Sequence, residues 1–82
     1  MDNGVALLSN LDSLHTTELG AVRIKKNLGI ETDDVVSWCI AEISDTACQI
    51  TRKGKNWYAA TDNCIITINA YSFTIITARK IK

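Results

Sequence analysis

The spacing of apolar residues changes near residue 46, and this change constrains the fold more than any other feature of the chain. Before it, apolar side chains recur every three or four residues, as on one face of a helix. After it they alternate with period two in segments rich in isoleucine and threonine, as in half-buried strands. Helices segregated from strands in this way predict an α+β fold: about three N-terminal helices packed on a C-terminal four-stranded antiparallel β-meander. With 82 residues, 46% of them apolar, residues 1–82 are expected to form a single domain around one core. Residues 1–45 form its helical part and 46–82 its sheet.

In the first helix Val5, Leu8, Leu11 and Leu14 suit one face, with Asp2 or Asn3 available as a cap. His15-Thr16-Thr17 interrupts, and Thr16 or Thr17 caps a second helix with Glu18 in its first turn. Leu19, Val22 and Ala21 begin its apolar stripe, and Ile24 and Leu28 widen it. Lys25 and Lys26 fall near its end, before Gly29 as the terminating residue and Ile30 as the hydrophobic contact beyond. Thr32 is expected to cap a third helix with Asp33 and Asp34 in its first turn and Val36, Cys39, Ile40 and Ile43 buried.

The strands read as CQITR, NWYAAT, CIITIN and SFTIITA. They are joined at Lys53-Gly54-Lys55, Asp62-Asn63 and Asn69-Ala70.

The apolar runs are far too short to span a bilayer, and Met1 to Leu8 lack the basic flank and long apolar stretch of a signal peptide. No membrane association and a cytoplasmic location are therefore expected. Three cysteines, Cys39, Cys48 and Cys64, form an odd set without paired spacing. They indicate a reducing compartment and free, partly buried thiols. A zinc site would need all three and His15, but there is no C-x-x-C knuckle; no cofactor and no metal are expected.

Charge is neutral in sum and uneven along the chain. Residues 1–45 carry eight acids against Arg23, Lys25 and Lys26; residues 46–82 carry only Asp62 against Arg52, Lys53, Lys55, Arg79, Lys80 and Lys82. The parts come to −5 and +5. Either they form separate acidic and basic faces, or they pack together and neutralise each other.

Two segments invite a nucleic-acid reading. RIKKNLGIETDDVVSWC has the outline of a helix-turn-helix. However, Lys25 stands where the helix pair demands a small residue. Glu31, Asp33 and Asp34 would open the recognition helix and repel phosphates. RKGKNWY, residues 52–58, puts three cations beside two aromatic rings, and strand alternation places Trp57 and Tyr58 on opposite faces. One ring enters the core and the other is on show. Arg52, Lys53, Lys55, Tyr58, Arg79 and Lys80 are thus candidate binding residues for an anionic ligand. A charged turn that keeps the sheet soluble is the plainer alternative. His15 serves equally as an acid/base candidate or as filler of the interhelix corner.

LHTTELGAVRIKKNLGI, RKGKNWY and INAYSFTIITARK together resemble a small bacterial domain family of unknown function with HTTELG, RIKKNL, KGKNWY and SYTIITAHK blocks. The resemblance spans roughly Leu14 to Lys80 and implies no activity. Arg79 departs from it, standing where the family pattern has histidine. The order of an early histidine, an arginine on the next helix and a closing meander is similar, more distantly, to the barnase–EndoU–colicin–RelE group of ribonucleases and toxins. That similarity implies metal-independent RNA cleavage. His15 would be the acid/base, Arg23 and Lys53 would stabilise the phosphorane, Tyr58 would hold a base, and Thr77 and Arg79 would line the last strand.

Three functions follow as expectations. The first is a binding or regulatory module, of the kind found among mobile-element or phage inhibitors, whose basic sheet surface meets an acidic protein surface or a nucleic-acid complex. The second is the ribonuclease or toxin. The third is a structural role, including a homodimer through a free sheet edge.

Overall fold

The computed structural model describes residues 4–81, so the candidate caps Asp2 and Asn3, and Lys82, lie outside the described residues. Within them, three α-helices, α1 (Val5–Leu8), α2 (Glu18–Leu28) and α3 (Val35–Ile43), and a 3-10 helix at Leu11–Ser13 precede four strands. These are β1 (Gln49–Lys53), β2 (Asn56–Ala60), β3 (Cys64–Asn69) and β4 (Ile75–Lys80), in one antiparallel sheet of order β1-β2-β3-β4.

The expected first helix is broken in two. The Asn10 side-chain amide donates to the Ala6 carbonyl at 2.7 Å and closes α1 after one turn. Leu7 and Leu14 then enter the core, while Val5 and Leu8 stay exposed.

In α2, Thr17 is the cap, accepting from Gly20 N at 2.9 Å, and Gly29 ends the helix as expected. The buried stripe differs from expectation. Ile24 and Leu28 are buried with Ala21 packed beside them, whereas Leu19 is 77% and Val22 59% exposed. The Thr16 hydroxyl donates to the Ile75 carbonyl at 3.0 Å, tying the start of the helix to β4. A Cβ on Gly20 would collide with the Thr16 hydroxyl. These contacts fix the rotation of α2 and turn Leu19 and Val22 outward.

In α3, Asp34 replaces Thr32 as the cap, accepting from Ser37 N at 3.0 Å and from the Ser37 hydroxyl at 2.7 Å. Those bonds hold its carboxyl below the usual range. Thr32 instead accepts from Asp34 N, and the buried set is Val35, Cys39 and Ile43.

The β1–β2 turn has two central residues. Gly54 is the first of them, at φ 62°, the place a type II′ turn gives to glycine. The β3–β4 loop is longer than Asn69-Ala70, and β4 begins only at Ile75. The Asn69 carboxamide oxygen accepts from Tyr71 N and Ser72 N, both at 2.9 Å, and Phe73 takes a left-handed φ of 60°. On the outer edge of β4, His15 N donates to the Phe73 carbonyl (3.2 Å) and Ile75 N to the His15 carbonyl (2.7 Å). This single parallel bridge covers the start of an edge that is otherwise open to pairing.

The pairing of β3 with β4 carries a bulge. Thr67 faces Thr77 and Ile68 faces Ile75, so Ile76 is an extra residue with no partner, and it is exposed. Strict alternation from the buried Ile75 would send Thr77 and Arg79 toward the helices. The inserted residue reverses this: Ala78 is buried, and Thr77 and Arg79 pair on the other face with Thr67 and Ile65.

The helices cover one face only. Their buried side chains meet Trp57, Ala59, Cys64, Ile66, Ile68, Ile75 and Ala78 in one core. Trp57 is therefore the inner ring of the RKGKNWY segment and Tyr58 the outer one.

Candidate binding face

The face of the sheet away from the helices is uncovered. Thr51, Tyr58, Thr67 and Thr77 cross it as one register row, and Gln49, Ala60, Ile65 and Arg79 as the next. Thr51, Lys53, Gly54, Tyr58, Ala60, Ile65, Thr67 and Arg79 line a depression of about 590 Å³ there. Its centre is apolar and aromatic, from Tyr58, Ala60 and Ile65; its ends carry Lys53 and Arg79. Among the described residues, none gives the head groups of Lys53, Tyr58 or Arg79 a hydrogen bond or an ion pair. The half-buried Tyr58 thus stands beside cations that no described residue pairs.

The structure divides the six candidate binding residues. Lys53, Tyr58 and Arg79 meet on the open face, and Lys55 stands in the adjoining turn. Arg52 and Lys80 do not join them. Arg52 pairs with the inward Trp57 and lies on the helix side. Lys80 pairs with the inward Cys64 and borders a second cleft, of about 410 Å³, with Gly29 and Trp38. Sequence reading missed Ile65, Thr67 and Thr51, which the alternation of CIITIN and CQITR places on the face once Tyr58 is known to point outward.

Among the described residues no ion pair joins the acidic and basic parts. Glu31, Asp33, Asp34 and Asp45 are exposed in the helical layer, whereas Lys53 and Arg79 face out from the far side of the sheet. Glu42 accepts from the Thr61 hydroxyl at 3.2 Å and lies 3.9 Å from Cys64 Sγ.

The residues of the ribonuclease reading are dispersed. His15 stands outside β4 and Lys53 is in β1, at opposite edges of the sheet. Four strand spacings of about 4.8 Å put their backbones roughly 19 Å apart. Arg23 is exposed on α2, across the sheet from Thr77 and Lys53. Both His15 nitrogens are engaged: Nδ1 donates to the Ser13 carbonyl at 3.0 Å, and Nε2 accepts from the Thr74 hydroxyl at 2.9 Å. A carbonyl only accepts, so Nδ1 carries the proton in the neutral ring. Thr74 Oγ1 in turn lies 2.8 Å from Ser72 Oγ. The histidine is thus a tie between the loop before α2 and the β3–β4 hairpin.

The three cysteines are free, with Cys39 and Cys64 buried. Burial pushes all three thiols up, Cys39 to about 12, which favours the protonated thiol at neutral pH. His15 lies at the opposite end of the sheet from Cys64, and among the described residues no group of three His, Cys, Asp or Glu side chains is placed to hold a metal ion. No helix among them is long and apolar enough to cross a membrane.

Fold and face together define a small α+β domain with one sheet face closed by helices and the other left open. Over residues 8–79 the chain matches the model of a family described as protein of unknown function (DUF3781), and it belongs to that family. Neither the curated proteins nor the solved structures contain a match to it.

Proposed function

We propose that this protein is a binding module whose open sheet face docks on an acidic protein surface. The observation that supports this most is the uncovered face itself: an apolar centre at Tyr58 and Ile65 with unpaired Lys53 and Arg79 at its ends. A protein partner fits better than a nucleic acid. Only a few cations serve the face and the chain is neutral overall, so few phosphates could be neutralised along a nucleic acid. An apolar centre with a charged rim is the usual build of a protein interface. Steering by Lys53 and Arg79 would act mainly on the association rate and weaken with salt. The ribonuclease reading is less well supported, because His15 and Arg23 lie away from the depression that Lys53, Tyr58 and Arg79 share.

Titration of isotope-labelled protein with poly-L-glutamate, and separately with a thymidine oligonucleotide, tests this reading by NMR. Saturable shifts of Tyr58, Ile65, Thr67 and Arg79 with polyglutamate are expected, lost in K53E/R79E and kept in K80E. Shifts confined to the oligonucleotide, or none with either polymer, would remove the protein-docking reading.

A further inference from the structure

The other face of the sheet holds a second arrangement, at the end where the two hairpin turns meet. Arg52 has its guanidinium carbon 5.7 Å from the Trp57 ring centroid and 5.6 Å from that of Tyr71. Its Nε donates to the Gly54 carbonyl at 2.9 Å. The guanidinium is therefore held by two rings and one hydrogen bond, its Nε edge is used, and both Nη groups remain free. Among the described residues no carboxylate pairs with it.

Three unfavourable features surround this one side chain. Tyr71 is 72% exposed on a hairpin tip, where a polar residue would serve the turn as well. Phe73, whose ring lies 5.5 Å from Trp57, occupies a left-handed conformation that side chains avoid. Trp57 is 2% exposed and its buried Nε1 has no hydrogen-bond partner, a loss that a phenylalanine would not incur. Trp57 provides the larger ring for a cation.

The tip is also locked. Ala70 N donates to the Lys55 carbonyl at 2.7 Å, joining the two turns, and Asn69 fixes Tyr71 N and Ser72 N. Conformational costs gathered around a fixed functional group are a mark of preorganisation.

We infer that Arg52, held between Trp57 and Tyr71, is a binding site for a carboxylate of an acidic peptide segment. The free Nη1/Nη2 edge can donate to both oxygens of a planar carboxylate. The exposed face of Tyr71 offers the peptide a stacking surface, and Lys55 in the adjoining turn adds positive charge. This site lies on the opposite face from Lys53, Tyr58 and Arg79 and stands independently of the docking reading.

The test is an NMR titration with acetylated, amidated tetraglutamate, with tetraglutamine and inorganic phosphate as parallel arms. Saturable shifts of the Arg52 Nε–H and Tyr71 ring signals are expected with tetraglutamate, several times larger than with tetraglutamine. R52K keeps the charge and loses the fork, so affinity read at Tyr71 is expected to fall about tenfold or more. Y71A, read at Arg52, is expected to weaken binding while K26Q, on the exposed side of α2, leaves it unchanged. The inference is overturned by an absent response, by R52K binding as tightly as the parent, by equal shifts with tetraglutamine, or by a site that takes phosphate and not the peptide.

Discussion

Phe73 permits a measurement in which backbone strain separates from side-chain packing. Its φ of 60° lies in the left-handed region, where a residue with a Cβ costs roughly 1–2 kcal/mol. The ring contributes by packing on Trp57 at 5.5 Å and 47° between planes. Such a pair is worth about 0.5–1.5 kcal/mol beyond its burial. Phe73→Ala removes the ring and keeps the strain; because the residue is only half buried, the expected loss is about 2–3 kcal/mol, below the range of a full core deletion. Phe73→Gly removes both. At an ordinary position glycine is about 0.5–1 kcal/mol worse than alanine. Here relief of the left-handed penalty outweighs that, leaving the glycine variant about 1 kcal/mol more stable than the alanine variant. For a domain of this size the difference corresponds to about 4–8 °C in Tm. Urea unfolding of the two variants side by side, with scanning calorimetry as a second reading, measures it. A glycine variant no more stable than the alanine variant would refute the argument, because the conformation at Phe73 would then carry no strain.

Asn69→Ala leaves Tyr71 N and Ser72 N without their acceptor. By analogy with a lost helix cap, stability should fall by about 1–2 kcal/mol in urea unfolding, whereas Asn69→Asp, which retains an accepting oxygen, should lie much closer to the parent. The Asp34 carboxyl is held below its ordinary value of 3.8 by the Ser37 bonds. Its contribution is therefore complete above that value and lost as pH falls through the lower folded pKa. Asp34→Asn should flatten the corresponding part of the acid limb in a series of unfolding curves, and an unchanged limb would exclude this contribution. Cys39 has the opposite sign. Its thiol rises from 9.0 to about 12 on folding, so its contribution is complete below pH 9 and is lost as pH rises toward 12. At pH 7.5 a thiol reagent should modify the half-buried Cys48 first and reach Cys39 and Cys64 only at the rate of unfolding. Prompt modification of Cys39 would contradict its burial.

Much of the local structure follows from short-range chemistry and was legible without the fold. A threonine cap at Thr16 or Thr17 before Glu18, Gly29 after Leu28 and the alternation through CIITIN each act within a few residues of themselves, and the structure places elements accordingly, with Thr17 as the cap. The departures lie where two distant segments compete for the same residue. Asp34 takes the cap from Thr32 because its carboxylate reaches both the amide and the hydroxyl of Ser37. Leu19 and Val22 satisfy the helical period as well as Ile24 and Leu28 do. The bond from Thr16 to β4 sets which stripe faces the sheet, and it joins residues 59 apart.

The candidate face divides along the same line. By itself the sequence determined that the C-terminal half forms strands, that Trp57 and Tyr58 point to opposite sides, and that the cations of this half outnumber its acids. Alternation is symmetric between the faces, so it could not say which ring goes inward. Only the tertiary structure decided that, by placing every helix it describes on the Trp57 side. It also decided the partners of Tyr58. Arg52 and Lys53 are neighbours in sequence, but adjacent strand residues leave on opposite faces, so only Lys53 lies on the face of Tyr58. Arg79 reaches the open face because Ile76 is inserted into the pairing of β3 with β4. A bulge arises from the fit between two strands, and β4 also answers to His15, Thr16 and the locked Asn69 turn. The period of one strand carries no record of that fit, so its outcome first appears in the assembled sheet.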